Sequence, residues 1–341
     1  MKVMFPSRIV DRHVGGNTTY ARHLVKGLSA RGVQVGTMRS AKHPAMTAVL
    51  ETMVGQVGQR ETVLHYSADT GPLIGTRGPS VVTVHGVASR WIDVARSERQ
   101  EKTWRFRVAR AIASCSQLIT VSESAADDIA DVFNVDRSKI RVIYHGIDRA
   151  GPDAGFDRPP ALANLPTDFA LYVGNLDPRK NLRELVAAFE SPELRVLGVP
   201  LVIAGKPAWN FAEIVEKING AANTTYLGFV DDPTRAYLMR QAKLFVFPSL
   251  YEGFGFPVLE AMSFGTPVAA SRRGSLAELA GPSWQLEELD AAALAHGIRG
   301  ALEDRAWQTR AASEGIEWAS TFSWDDSIES HLDVYRTALS Q

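Results

Sequence analysis

The chain holds 341 residues, room for two domains at about 100–200 residues each, and its 45% hydrophobic and 22% charged composition is that of a globular protein with real cores. A formal net charge of −1 gives no reason to expect nucleic acid as a partner, and a single cysteine, Cys115, excludes an intramolecular disulfide and fits the cytoplasm. No apolar run reaches the ~18 residues of a membrane span, and the apolar opening before Pro6 and Arg8 is too short for a signal h-region.

Val3–Phe5 reads as a first strand. A loop over 6–16 leads to a helix from Asn17, a good N-cap, to Ala30, with Leu24, Val25 and Leu28 on its buried face. Val33–Thr37 follows as a second strand and completes a βαβ opening. Gly15-Gly16 stands just before the helix, either as an ordinary turn or as a place where backbone comes close to a ligand. A nicotinamide fingerprint is excluded: the spacing is not G-x-G-x-x-G, and Met38-Arg39-Ser40 offers no acid to a ribose. Residues 41–61 carry a weak helical pattern through Val49 and Met53. Thr62–Tyr66 and Val81–Val84 read as strands, the second ending at His85-Gly86. Ligands sit at the C-terminal edges of parallel strands, so His85 is a candidate contact, and His65 and Asp69 face the same way as candidates for an acceptor.

Residues 97–115 form an amphipathic helix with Trp104, Val108, Ala111, Ile112 and Cys115 on its core side. Arg96, Arg99, Lys102, Arg107 and Arg110 occupy the rest, either as a solvated basic face or as a surface for anionic lipid or an anionic acceptor. Leu118–Val121 is a strand, a helix capped by Ser122 or Ser124 runs to Phe133, and Ile140–Tyr144 leads into His145-Gly146-Ile147-Asp148. Residues 149–166, with four prolines and two glycines, cannot hold a helix or a central strand and read as a linker and hinge. Domains are therefore expected over 1–148 and 167–321.

Phe169–Val173 starts a second βα series. Gly174-Asn175-Leu176-Asp177-Pro178-Arg179-Lys180-Asn181 follows, then a helix with Leu182, Leu185, Val186 and Phe189 on one face. Two cations at a helix head are unfavourable unless something anionic sits between them, and a diphosphate would supply that. Pro200–Ala204 ends at Gly205-Lys206 and Thr225–Leu227 at Gly228-Phe229-Val230, both as strands. Residues 291–320 read as helical, and a last helix spans Trp324–Leu339 with Ile328, Leu332 and Tyr335 buried.

The stretch Lys243–Pro267 organises the second half. Leu244–Phe247 is an uncharged buried strand, Gly253-Phe254-Gly255 a glycine turn, and Pro257 the first residue of a short helix that Gly265 stops. Strand, turn and helix N-terminus in that order aim amides at one spot and favour an anion there. Glu252 and Glu260 flank the turn with seven residues between them. Glu252 lies in the loop and Glu260 in the first helical turn, either as a solvated charge and a dipole partner or as acceptors for hydroxyls. A ligand that carries phosphate and hydroxyls together is a nucleotide sugar.

E-G-F-G-F-P-V-L-E-A-M followed by G-T-P-V-A-A-S resembles the Glu-x7-Glu signature of family 4 retaining glycosyltransferases. The resemblance implies the GT-B fold, α/β, with two doubly wound Rossmann-like domains facing across a cleft and a final helix, 322–341, crossing back to the first. It implies transfer of a sugar from a nucleotide-diphosphate donor to a hydroxyl of a saccharide, glycolipid or other acceptor, with no cofactor and no metal. Gly16, Arg179, Lys180, Gly253, Phe254 and Gly255 would hold the diphosphate. Glu260 would hold the ribose, Val230 and Gly205 the base, and Glu252 and His85 the transferred sugar. Catalysis would rest on Glu252, His85, Lys180 and Arg179. The G-x-x-x-P-R-K-N variant is similar to a mannosyltransferase-like branch and points to GDP-mannose. UDP- or dTDP-sugar donors, a GT-B epimerase and a noncatalytic nucleotide-sugar binder stay open as alternatives. The family usually has an aspartate at 86 and an asparagine at 145, where this chain has Gly86 and His145. Peripheral contact of the 97–115 helix with the inner face of the membrane is a further expectation.

Overall fold

The computed structural model describes residues 1–11, 15–41, 43–92, 97–148 and 158–341. Most of the proline-rich linker, 149–157, and Arg96 lie outside the described residues. The chain divides into two compact units, Met1–Gly146 with Phe322–Gln341, and Ile147–Thr321.

The first unit is built on six parallel strands: β1 (Lys2–Pro6), β2 (Gln34–Met38), β3 (Thr62–Tyr66), β4 (Ser80–Thr83), β5 (Gln117–Thr120) and β6 (Ile140–Val142), in the order β2-β1-β3-β4-β5-β6. β3 and β4 are buried along their whole length, as parallel strands covered on both faces must be. One face packs Val3, Phe5, Tyr20, Leu24 and Leu28 against Ile328, Leu332 and Tyr335 of the last helix, Trp324–Ser340. The other packs Tyr66, Val82, Val108, Ala111 and Ile129.

The second unit repeats the plan with β7 (Ala170–Val173), β8 (Leu201–Ala204), β9 (Thr224–Gly228), β10 (Leu244–Phe247), β11 (Val268–Ser271) and β12 (Trp284–Leu286). Its order is β12-β11-β10-β7-β8-β9, all parallel. The chain works outward from β7 through β8 and β9, then returns to the other side of β7 with β10. That reversal leaves a crevice between the C-terminal ends of β7 and β10, where open α/β sheets bind ligands.

Local chemistry explains two departures from the sequence reading and decides one choice that it left open. The 291–320 segment is two helices, Ala291–Glu303 and Arg305–Ser320. Asp304 breaks it and restarts it, its carboxylate accepting from the Trp307 amide at 2.8 Å. The helix after the glycine turn begins at Phe256 with Gly255 as N-cap, so Pro257 is its second residue and Glu260 lies in its second turn. Ser122, not Ser124, caps Glu123–Phe133.

Candidate active site

The loops after β7 and β10 meet at the crevice. Asp177 caps the Pro178–Lys180 turn: its Oδ1 accepts from the Arg179 amide at 3.0 Å. The same buried carboxylate grips the Arg179 guanidinium twice, at 3.0 Å from Nε to Oδ1 and 2.9 Å from Nη2 to Oδ2. Arg179 also lies over the Trp209 ring, 5.8 Å from its centroid. The Leu250 amide donates to the Arg179 carbonyl at 2.7 Å, which ties the two loops together. Beside that bond Lys180 Nζ forms an ion pair with Glu252 Oε1, and both side chains are nearly buried. The Lys180 ammonium also lies 5.0 Å from the centre of the Phe247 ring. The pocket's cations are thus already matched by protein carboxylates, Arg179 by Asp177 and Lys180 by Glu252. The dipole argument foresaw a ligand anion between them and left out these internal partners.

Gly253–Gly255 continues from Glu252 into the Phe256–Ser263 helix, its loop pinned by Ser275, whose amide and hydroxyl donate to the Glu252 and Phe254 carbonyls at 3.1 and 2.8 Å. Glu260 sits half-buried on that helix, 3.4 Å from Arg235 Nη1. Burial raises its carboxyl above the usual range, and Arg235 offsets part of the rise. Gly205 and Val230 follow β8 and β9. A Cβ on Gly205 would stand 1.8 Å from the Gly174 carbonyl oxygen, so only glycine allows the β7 and β8 loops to cross so closely. Its amide donates to Gly228 O at 2.7 Å and its carbonyl accepts from Tyr226 Oη at 2.9 Å. Both backbone groups therefore serve the fold. The neighbouring Lys206 ammonium lies 3.9 Å from the Phe229 ring centre.

In the first unit His85 follows β4. Its Nε2 lies 3.0 Å from the Ser67 carbonyl. A carbonyl only accepts, so Nε2 carries the hydrogen and Nδ1 is left as an acceptor in the neutral ring. The His85 amide donates to Asp69 Oδ1 at 2.8 Å. Asp69 is one of few non-glycine residues here at positive φ, 63°, and its carboxylate is spent on holding His85. Gly86 adopts φ 127°, a backbone that an aspartate would adopt only under strain. Gly16 is the first residue of the Gly16–Ala30 helix, with Gly15 as its N-cap.

His65 does not face an acceptor; it is fully buried in a directional chain of hydrogen bonds. His331 Nδ1 donates to the Ser327 carbonyl at 2.7 Å, so its Nε2 accepts from Tyr20 Oη at 2.7 Å. Tyr20 Oη then accepts from Thr83 Oγ1 at 2.9 Å, Thr83 from His65 Nε2 at 2.8 Å, and His65 Nδ1 from Tyr335 Oη at 2.7 Å. The Tyr20 ring stands edge-on to His85 at 5.2 Å and 4.7 Å from the ring of buried His145. His145 thus finds its place in a cluster of tilted rings, between Tyr20 and Trp324. Burial lowers the pKa of His65, His145 and His331, the last to about 4.

Residues 154–318 match the model of glycosyl transferases group 1, and residues 60–150 that of Glycosyltransferase Family 4. The O-antigen chain mannosyltransferase B of Escherichia coli is 31% identical over 66% of this chain and 62% of its own length. The D-inositol 3-phosphate glycosyltransferase of a Nocardioides species is 28% identical over 96% and 81%. The chain thus spans less than two thirds of that mannosyltransferase. Among solved structures, sucrose-phosphate synthase from Thermosynechococcus elongatus superposes with a TM-score of 0.77 over 99% of both chains at 21% identity. Anabaena HepE, solved with UDP and glucose, superposes with a TM-score of 0.72 over 99% of this chain and all of its own, at 18% identity. The chain belongs to glycosyltransferase family 4.

The chain has the GT-B fold, two Rossmann-like domains, each on a parallel six-stranded sheet. Sequence reasoning passed over Asp177, although an acid directly before proline at the head of a turn is a capping signal. It also passed over Arg235, which only the packing of Asp232–Gln241 brings to Glu260. Among the described residues no three or more His, Cys, Asp or Glu side chains gather as a metal-holding group, and no helix is long and apolar enough to cross a membrane.

Proposed function

We propose that the chain is a retaining, metal-independent glycosyltransferase that uses a nucleotide-diphosphate sugar, GDP-mannose before UDP- or dTDP-sugars, and a hydroxyl acceptor on a saccharide or lipid-linked glycan. The observation behind this is the Lys180–Glu252 ion pair at the reversal point of the second sheet, beside a helix N-terminus. A diphosphate entering there takes Glu252's place on Lys180. Glu252 is released to accept hydrogen bonds from the donor sugar, so one exchange binds both halves of the substrate. Arg179, held rigid by Asp177, and the 253–255 backbone meet the charge that builds on the leaving phosphate. Glu260 holds the ribose hydroxyls, and the base lies by Val230. His85, whose Nδ1 accepts, takes a hydroxyl of the transferred sugar. The acceptor oxygen attacks the anomeric carbon as the carbon–phosphate-oxygen bond breaks, and its proton passes to the leaving phosphate. The mannosyltransferases among the relatives support the choice of sugar. A lipid-linked acceptor would place the enzyme at the inner face of the membrane.

The test is incubation with labelled GDP-mannose, UDP-glucose and dTDP-glucose beside an acceptor panel, with the product's anomeric configuration read by NMR. A glycosylated product of retained configuration is expected. Recovery of an epimerised nucleotide sugar, or donor binding with no turnover on any acceptor, would overturn the reading.

A further inference from the structure

The loops after β8 and β9 carry a pair of side chains that the phosphate site does not use. Phe229 stands just past the end of β9 with 58% of its surface exposed, whereas Phe245 and Phe247 on β10 are fully buried. The Lys206 ammonium, just past the end of β8, lies over the Phe229 ring, 3.9 Å from its centre. A lysine stem can cover an apolar ring simply to shield it from water. Here the ring stays largely open, so shielding does not account for the pair. Among the described residues no carboxylate pairs with Lys206. Unlike Lys180 it can therefore meet a ligand without giving up a partner of opposite charge.

The backbone beneath the pair is fixed. The Gly205 amide donates to the Gly228 carbonyl at 2.7 Å, the Leu176 amide to the Lys206 carbonyl at 2.8 Å and the Ala208 amide to the Leu176 carbonyl at 3.1 Å. A register shift between Ile203 and Ala204, with φ of 68° at Gly228, turns the exit of β9 toward β8. Ring and cation thus rise from a braced edge, and the adjustable part is the lysine stem. Their immediate neighbours in the chain are Gly205 and Val230.

Resting on the nucleotide-sugar reading above, we propose that Phe229 and Lys206 select guanine as the base of the donor. A flat base stacks on the Phe229 ring, and a purine covers more of that ring than a pyrimidine does. The stacked base takes the place of the ammonium, whose four-carbon stem carries it to the edge of the base. An ammonium has only hydrogens to offer. Guanine presents two acceptors side by side, O6 and N7, while adenine sets an amino group beside N7 and turns its hydrogens toward the cation. The ring therefore separates purine from pyrimidine, and the cation separates the oxo purine from the amino purine.

The test is calorimetry of the full chain with GDP, ADP, UDP and CDP. Wild type is expected to bind GDP at least about 10-fold tighter than ADP. Lys206→Met should weaken GDP about 10-fold and leave ADP within about 2-fold of its wild-type affinity. Lys206→Arg should keep the preference, since arginine also meets O6 and N7. Phe229→Leu should weaken GDP and ADP alike, by about 10-fold, and UDP less. Both side chains are exposed, and a ratio of two nucleotides on one protein does not move with a loss of stability. Equal losses of GDP and ADP in Lys206→Met, no loss in Phe229→Leu, or a wild type that binds ADP or UDP as tightly as GDP would each overturn the selection of guanine while leaving the glycosyltransferase reading in place. A wild type that binds none of the four would remove both.

Discussion

The two sheets present opposite chemistry at their C-terminal edges. Beside β4 the first unit buries imidazoles that stay neutral, locked by carbonyls and hydroxyls into one hydrogen-bond direction from Tyr335 to Ser327. Between β7 and β10 the second unit holds full charges, each cation matched by a carboxylate. A neutral network of fixed polarity is suited to orienting one ring, His85, which packs against the Tyr20 ring and is held at Nε2 by the Ser67 carbonyl, while the Asp69 carboxylate fixes the His85 amide. Paired charges near a helix tip are suited to exchange, since a phosphate can replace a carboxylate without leaving an unmatched charge behind. On this view the first edge positions and the second edge trades partners.

Several substitutions bear on that contrast, beginning with the largest expected effect. Lys180→Ala leaves Glu252 buried without its cation and removes the group that meets the leaving phosphate. A drop of about 10²–10³-fold in kcat/KM is expected from steady-state transfer assays. Acid should act on the first edge instead. His331 titrates near 4 in the folded chain and near 6.5 unfolded, so the unfolded state takes the proton first. Its stabilising contribution is whole above pH 6.5 and falls as pH drops toward 4, by at most about 3 kcal/mol. Thermal midpoints measured from pH 7 to 4 should fall more steeply for the wild type than for His331→Gln, and equal slopes would remove the histidine from the account. Asp177→Asn keeps the cap but loosens Arg179, for an expected loss of about 10-fold. The double variant with Arg179→Gln should be no worse than Arg179→Gln alone, because the two residues act as one unit. Glu260→Ala is expected to be mildest, weakening nucleoside and nucleoside diphosphate by the same factor of about 10 in calorimetry.

Much of this was legible in the chain. Buried strands such as 62–66 and 244–247 announce themselves by uncharged β-branched and aromatic runs, and the 253–265 turn and helix by glycine and proline at fixed offsets. Partner choice was not legible. Lys180 and Glu252 are 72 residues apart, and only the return of β10 alongside β7 makes them neighbours. His65 looked available because a strand end points at ligands, yet Tyr335, 270 residues away, closes over it. The helix at 44–56 read weakly because its apolar residues face both ways.

The role of Lys180 can be measured without knowing the acceptor. Thermal shift of wild type and Lys180→Ala with GDP, UDP and the matching nucleosides separates phosphate recognition from base and ribose recognition, since a ligand that binds the native state raises the midpoint. A diphosphate-dependent rise in the wild type that vanishes in Lys180→Ala, beside an unchanged response to nucleoside, is the expected result; an equal rise in both proteins would contradict an exchange of Glu252 for phosphate on Lys180.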